Sequence, residues 1–334
     1  MPSSLQFPVV IADIGGTNAR FALVETPDSE SLSLGQVPTA DHESLQDAAK
    51  ACLSNWDGAA PRSAVVAVAG PVTGDIIPLT NAHWVIEPRS VIAALALDSV
   101  VVLNDFEAQA LALPSLDGAH LEQLGPKLPA KDASKFVLGP GTGLGAAAMV
   151  HACGKWVPTP GEGGHVELGP VSEEEYRIWP FIEKEGGRIG AEQILCGSGL
   201  VRLASAVAAQ AGASRSYEDP ADVPKAASSG DEIAEKAMQL FCAALGRVAG
   251  DFALTILARG GVYLAGGIPP KIAPWLRGGA FRQAFEAKAP HNAIMAEIPT
   301  FIVTHDNPAL EGLAAYARNS EGYLVDTTGR RWVK

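Results

Sequence analysis

The chain alternates short, continuously apolar runs with glycine turns and longer amphipathic stretches. FPVVIAD, residues 7–13, is an apolar run of strand length that ends in a carboxylate. After GGT, the text NARFALVE alternates small or apolar with polar residues and has no helical period, so the turn predicts two antiparallel strands. A dinucleotide fold or a P-loop needs a helix directly after its glycines, and a P-loop also needs a Lys-Ser/Thr ending. Neither follows here, and on this stretch alone an ordinary hairpin and a phosphate-binding turn both stand.

The pattern onward predicts a helix around 43–54 and a strand over SAVVAVAG (63–70). The loop GPVTGD follows, then short extended pieces in LTNAHWVIEP (79–88). RSVIAALAL (89–97) reads as a helix with Ser90 as cap, SVVVLND (99–105) as a strand, and FEAQALAL (106–113) as a helix that starts at once. Residues 114–135 are turn-rich and suit a domain junction. Then the opening pattern recurs: KFVLGPGTGLGAAAMV (135–150) is again strand, glycine turn with a threonine, strand. The recurrence predicts a duplicated α/β architecture. A third glycine turn, VYLAGGIPP (262–270), follows another buried strand. Residues 231–260 feed it as a helix with Ile233, Leu240, Phe241, Leu245, Val248, Phe252 and Ile256 in one apolar stripe. TFIVTHDNPALEGLAAYARN (300–319) gives a strand, a helix start at 306–308 and a helix.

Composition narrows the function classes. Apolar residues make up 47% and charged residues 19% of the 334, which is a globular balance, and the net charge is −12. An acidic chain gains nothing from nucleic-acid phosphates or anionic lipid, so neither is expected as a partner. An anionic substrate needs local cations or backbone amides to offset that field. The start, MPSSLQFPVV, lacks the basic and apolar regions of a signal peptide, and the apolar run 241–257 is broken by Arg247 and Asp251, as in a buried helix. The four cysteines, Cys52, Cys153, Cys196 and Cys242, form no C-x-x-C pair. They suggest a reducing, cytoplasmic setting and no metal knuckle.

Glycine lets a backbone approach a ligand, and successive amides with a threonine hydroxyl make an anion nest. Three such turns at strand ends suit a cleft between two α/β domains. Asp13 cannot bind phosphate directly, and its sensible role there is to hold magnesium through water. Asn104-Asp105 ends a strand and begins a helix, where ligands of open α/β sheets bind; position alone favours a helix cap, and the two roles do not exclude each other for the pair. In GEGGHVEL (161–168), Glu162 and His165 sit among glycines, which leaves room for a ligand to come close. In AEQILCGSG (191–199), Glu192 stands at a loop-to-helix transition. Solvated charges and a satisfied histidine are the plain alternatives for these three, and no H-E-x-x-H-like spacing supports a metal site from them.

ADIGGTNARFAL, LTNAHW, LNDFEAQA, GTGLG, GEGGHVEL, AEQILCGSGL and LAGGI occur in this order, from about residue 8 to 320. With them the chain closely resembles the ATP-dependent bacterial glucokinases of the hexokinase/actin-like phosphotransferase superfamily. The resemblance implies a two-domain actin-like (ribonuclease H-like) fold, with residues 1–115 plus 306–334 in a smaller domain and 116–305 in a larger one. It implies a first phosphate loop over Ala12, Asp13, Ile14, Gly15, Gly16 and Thr17, where Ala12 stands in place of the family's frequent glycine. A second loop covers Gly141, Thr142, Gly143 and Gly145, with Gly266 and Gly267 in the third turn. Asn104 and Asp105 match the sugar-binding pair, with Asp105 as base, and Glu162, His165 and Glu192 match the sugar-hydroxyl ligands. The implied reaction is transfer of the γ-phosphoryl group of magnesium-ATP to the 6-hydroxyl of glucose, by a homodimer. The cysteine-rich zinc motif of related kinases and repressors is absent from VELGPVSEEEYRIW, which places the chain with the zinc-free branch. The remaining readings are a kinase for another hexose or an N-acyl sugar, and a non-catalytic sugar sensor.

Overall fold

The computed structural model describes residues 5–72, 74–79, 82–125, 128–130 and 132–334. Thr80 and Asn81 of the LTNAHW stretch and Thr73 of GPVTGD lie outside the described residues. The strands are β1 (Val9–Ile14), β2 (Asn18–Val24), β3 (Ser31–Pro38), β4 (Ser63–Val68), β5 (Ile77–Pro78), β6 (Val85–Ile86), β7 (Ser99–Asn104), β8 (Leu121–Gln123), β9 (Lys135–Pro140), β10 (Leu144–Ala152), β11 (Lys155–Gly161), β12 (Val262–Leu264), β13 (Thr300–Val303) and β14 (Arg331–Val333). The α-helices are α1 (Leu45–Leu53), α2 (Pro88–Leu95), α3 (Asp105–Ala112), α4 (Glu173–Ile178), α5 (Gly197–Gln210), α6 (Asp222–Ser228), α7 (Glu232–Ile256), α8 (Ala273–Arg277), α9 (Ala280–Glu286), α10 (Asn292–Glu297) and α11 (Pro308–Arg318).

The chain divides into two compact units, one of residues 1–116, 148–160 and 305–334, the other of 117–147 and 161–304. In the first unit the sheet order is β14-β7-β4-β1-β2-β3. β1 runs antiparallel to β2 and parallel to β4, β4 runs parallel to β7, and β14 closes the edge antiparallel to β7. The other sheet, β11-β10-β9-β12-β13-β8, repeats that order. Its β9, β12 and β13 are parallel, and β8 is the antiparallel edge strand. The same strand order around two strand–glycine turn–strand units is the duplicated architecture that the sequence predicts.

The parallel strands are continuously apolar because both faces are covered; every residue of β4 is buried. One face of the first sheet packs Val10, Phe21, Leu23, Val66, Val100 and Val102 with Leu45 of α1 and Val91 of α2. α11 lies against α3, β1, β2 and β4. Its Gly312 sits so close to α3 that a Cβ would meet the Ala108 carbonyl oxygen at 1.8 Å. Asn307 precedes α11 and Pro308 occupies its first turn, as the Asp-Asn-Pro run predicts. α2 differs from its prediction. It starts at Pro88, and Ser90 is not the cap but lies inside the helix, its hydroxyl donating to Glu87 at 2.8 Å. Proline at the first position sets the helix start without a capping side chain.

In the second unit α7 begins after Asp231, whose side chain accepts the Ala234 amide. Of the predicted stripe, Leu240, Phe241, Leu245 and Val248 are buried, interleaved with alanines and with Gly246 and Gly250. α7 is long and apolar enough to cross a membrane by length and composition, but it packs against α9, α6 and α5 as a core helix.

Candidate active site

In the first unit, Asp13 and the turn 15–17 stand at the end of β1. Gly15 donates to Asn18 at 3.0 Å, which closes the turn. Buried Thr39 then pins it from outside: its hydroxyl donates to the Gly16 carbonyl and its amide to the Thr17 carbonyl, both at 2.9 Å. With their carbonyls spoken for, the amides of Gly16 and Thr17 donate to no protein acceptor among the described residues. Two unspent, adjacent amides are the donor set of an anion nest. Ala12 and Ile14 are core residues, 3% and 1% exposed, so they hold the turn in place and offer no side chain to a ligand.

Asp13 is paired across the hairpin with Arg20, at 3.4 Å. Burial pushes its carboxyl above the usual range, and the Arg20 guanidinium holds it back. Among the described residues no group of three His, Cys, Asp or Glu side chains could hold a metal ion. One carboxylate beside a turn with unspent amides does fit magnesium carried in on phosphates, which uses one or two carboxylates plus phosphate oxygens.

Asn104 and Asp105 sit at the C-terminal end of β7, where α3 begins. The cap is Asn104: its Oδ1 accepts the amides of Phe106 and Glu107 at 2.9 and 3.2 Å, and its Nδ2 donates to the Gly70 carbonyl at 3.3 Å. Asp105 is the first residue of the helix, its Oδ1 3.0 Å from the Phe106 amide.

In the second unit, the turn 141–143 joins β9 to β10. Gly141 donates to the Gly143 carbonyl at 2.8 Å, and the Gly141 carbonyl accepts from Gly197, at the start of α5, at 2.9 Å. The amides of Thr142 and Gly143 donate to no protein acceptor among the described residues. Gly145 continues into β10. The third turn leans on this one. Gly266 has φ +81, and a Cβ there would come within 2.7 Å of the Pro140 carbonyl oxygen, so no other residue fits. Gly267 faces open space.

Glu162, Gly163, Gly164 and His165 form a tight turn closed by a 3.0 Å bond from the His165 amide to the Glu162 carbonyl. The Glu162 and His165 side chains are exposed and 4.0 Å apart. Of the glycines that the sequence reads as leaving room for a ligand, Gly161 faces open space, while the missing side chains of Gly163 and Gly164 are taken up by packing. A Cβ on Gly163 would strike Phe252 and Ala146, and one on Gly164 would lie 1.9 Å from the Leu144 carbonyl oxygen. They let the turn lie flat on β10. His165 and Glu192 line one cavity of about 340 Å³ together with Arg188 and Gln193. Arg188 donates to the His165 carbonyl at 2.7 Å, and the Glu192 carboxylate accepts the Leu144 amide at 2.7 Å.

Sequence reasoning missed Thr39, Arg20 and Arg188. Arg20 alone had a readable signal, since a hairpin with a two-residue register places it opposite Asp13.

A family model described as Glucokinase matches residues 10–320. A glucokinase of Mesorhizobium japonicum is 50% identical over 331 residues, which cover 99% of this chain and 97% of that protein. Among solved structures, the glucokinase from an Antarctic psychrotroph aligns with TM-score 0.86 and 34% identity, covering 94% of this chain and all of the other (100%). The glucokinase from Balamuthia mandrillaris, solved in complex with glucose, aligns with TM-score 0.76 and 26% identity, covering 94% of each chain. Two sheets of one strand order, each with a glycine turn that keeps adjacent amides unspent, and likeness over nearly the whole length, lead to one conclusion: the chain belongs to the glucokinase family.

Proposed function

We propose that this protein transfers the γ-phosphoryl group of ATP to the 6-hydroxyl of D-glucose, giving glucose 6-phosphate and ADP. Asp105 accepts the hydroxyl proton. The observation that carries this reading is the layout of the β7–α3 junction. Asn104 is the N-cap, accepting the Phe106 and Glu107 amides, and Asp105 follows as the first helical residue, its carboxylate at the C-terminal edge of the sheet, where ligands of open α/β sheets bind. General-base catalysis at that hydroxyl is worth roughly 10²–10⁴ in rate.

Asn104, Glu162, His165 and Glu192 hydrogen-bond the other ring hydroxyls. A sugar that lacks one of these hydroxyls leaves a partner orphaned, at about 1–3 kcal/mol, which is how the pocket tells hexoses apart. The unspent amides of Gly16, Thr17, Thr142 and Gly143 receive the phosphates. Asp13 would hold magnesium through water, and magnesium bound there would supply charge neutralisation on the phosphate oxygens. The enzyme acts as a homodimer in the cytoplasm, requires no zinc, and binds neither nucleic acid nor membrane.

The test is a panel of hexoses and N-acyl hexosamines with magnesium-ATP, the phosphorylated product being counted. Glucose is expected to give the highest kcat/KM, and excess EDTA to abolish turnover. Higher kcat/KM on another sugar, or glucose binding without turnover, would replace this reading by one of the other two.

A further inference from the structure

The second unit contains a contact that neither sugar binding nor phosphate binding explains by itself. The Glu192 carboxylate does more than line the cavity. Its Oε2 accepts the amide of Leu144, the residue that closes the glycine turn, at 2.7 Å. To get there it passes directly over Gly143, where a Cβ would lie 2.5 Å from Oε2 and 3.2 Å from Cδ. Gly143 has no positive φ. The backbone conformation therefore does not require glycine at 143; what a Cβ there would do is push the Glu192 carboxylate off its place.

The surrounding bonds fix both partners. The Glu192 amide donates to the Gly164 carbonyl at 2.8 Å, which ties it to the Glu162–His165 turn. Five residues on, the Gly197 amide holds the Gly141 carbonyl at 2.9 Å. Residues 192–197 thus grip the glycine turn at both ends, and the two unspent amides, Thr142 and Gly143, lie between the grips. A carboxylate has about four lone-pair positions on two oxygens, so Glu192 can hold the Leu144 amide and a sugar hydroxyl together.

We propose that Glu192 is a positioning residue that couples sugar binding to the order of the 141–145 phosphate turn. The proposal rests on the reading of Glu192 as a sugar ligand. A hydroxyl bound to the carboxylate immobilises it over Gly143 and so fixes the Leu144 end of the turn; phosphates seated on the turn fix the carboxylate for the sugar. Linkage requires the two effects to be equal.

The experiment measures, by calorimetry, the affinity of glucose and of a non-hydrolysable ATP analogue with magnesium, each alone and in the presence of the other. In the unmodified enzyme each ligand is expected to tighten the other by the same factor, about fivefold or more. Gly143→Ala, although it alters the phosphate turn, is expected to weaken glucose about fivefold or more with no nucleotide present. Gly141→Ala, on the same turn but facing open space, is expected to weaken the nucleotide and leave glucose affinity as it was. Glu192→Ala is expected to weaken glucose strongly. If Glu192→Ala binds glucose normally, the reading of Glu192 as a sugar ligand falls. If it weakens glucose but Gly143→Ala does not, or if both glycine variants weaken glucose equally, the coupling falls and the sugar reading stands. Should Gly143→Ala fail to fold, Glu192→Asp decides, because the shortened carboxylate withdraws from Leu144. It is expected to lose the mutual tightening, and its retention would overturn the proposal.

Discussion

The guanidinium of Arg330 donates to both carboxylate oxygens of Glu107, at 2.5 and 3.3 Å, and the carboxylate is 1% exposed. Glu107 lies two residues after Asp105, and the Arg330 carbonyl accepts the Val102 amide at 3.0 Å. The C-terminal tail therefore grips the β7–α3 junction from two sides, by the β14 ladder and by this pair.

Removing the cation would leave a buried carboxylate uncompensated, at a cost of about 3–5 kcal/mol, so Arg330→Ala should lower Tm strongly. Burial already pushes Glu107 above the usual glutamate range, against the pull of Arg330. A raised carboxyl favours folding below its unfolded pKa, and that contribution is lost as pH rises through the folded value. Arg330→Ala raises the folded value further, so its Tm deficit should shrink on acidification. A pH series of melting curves for the two proteins checks this.

Gly312→Ala should destabilise by about 1–3 kcal/mol. Alanine is the better helix former by up to about 1 kcal/mol, so a net loss reports the collision with the Ala108 carbonyl of α3. Chemical denaturation measures it; a stabilised variant would mean that α11 and α3 do not pack this closely.

Lys135 is buried, its ammonium bonded to the Gly260 carbonyl at 3.2 Å and the Tyr263 hydroxyl at 3.0 Å. Burial lowers its pKa from 10.5 to about 8, with Asp132 opposing. A depressed folded pKa means that this group's contribution to stability is present above the unfolded value and lost as pH falls through the folded one. Between about pH 8 and 10 it should therefore add stability as pH rises, before the tyrosines titrate. Lys135→Met should flatten that slope in unfolding free energy measured across the window.

Glu162→Gln replaces an acceptor by a mixed donor and acceptor of the same shape. The glucose KM should rise about tenfold, within the range for an orphaned partner, while the KM for ATP moves little. Equal weakening of both substrates would point to general damage.

The glycine turns and the Asn-Asp junction were legible because their chemistry is local: a strand, a turn and a cap are written in adjacent residues. Strand β3 was not, since SLSLGQVP is exposed or half-exposed along its length and puts only Leu34 and Val37 partly against the core. β8 and β14 have three residues each and are strands only through their partners β13 and β7. The Glu107–Arg330 pair spans 223 positions, and no local pattern announces it. Gly163 and Gly164 were visible as glycines, but what their missing side chains avoid, Phe252 and the Leu144 carbonyl, is set by tertiary packing.

The central claim is that Asp105 is the base. Asp105→Asn keeps size and shape, the N-cap is Asn104, and the Asn side-chain oxygen can still accept the Phe106 amide as the Asp105 Oδ1 does, so Tm should change little and glucose should still bind. The proton acceptor is gone, and kcat should fall by roughly 10²–10⁴. An Asp105→Asn enzyme that melts normally and retains most of its kcat would contradict the account.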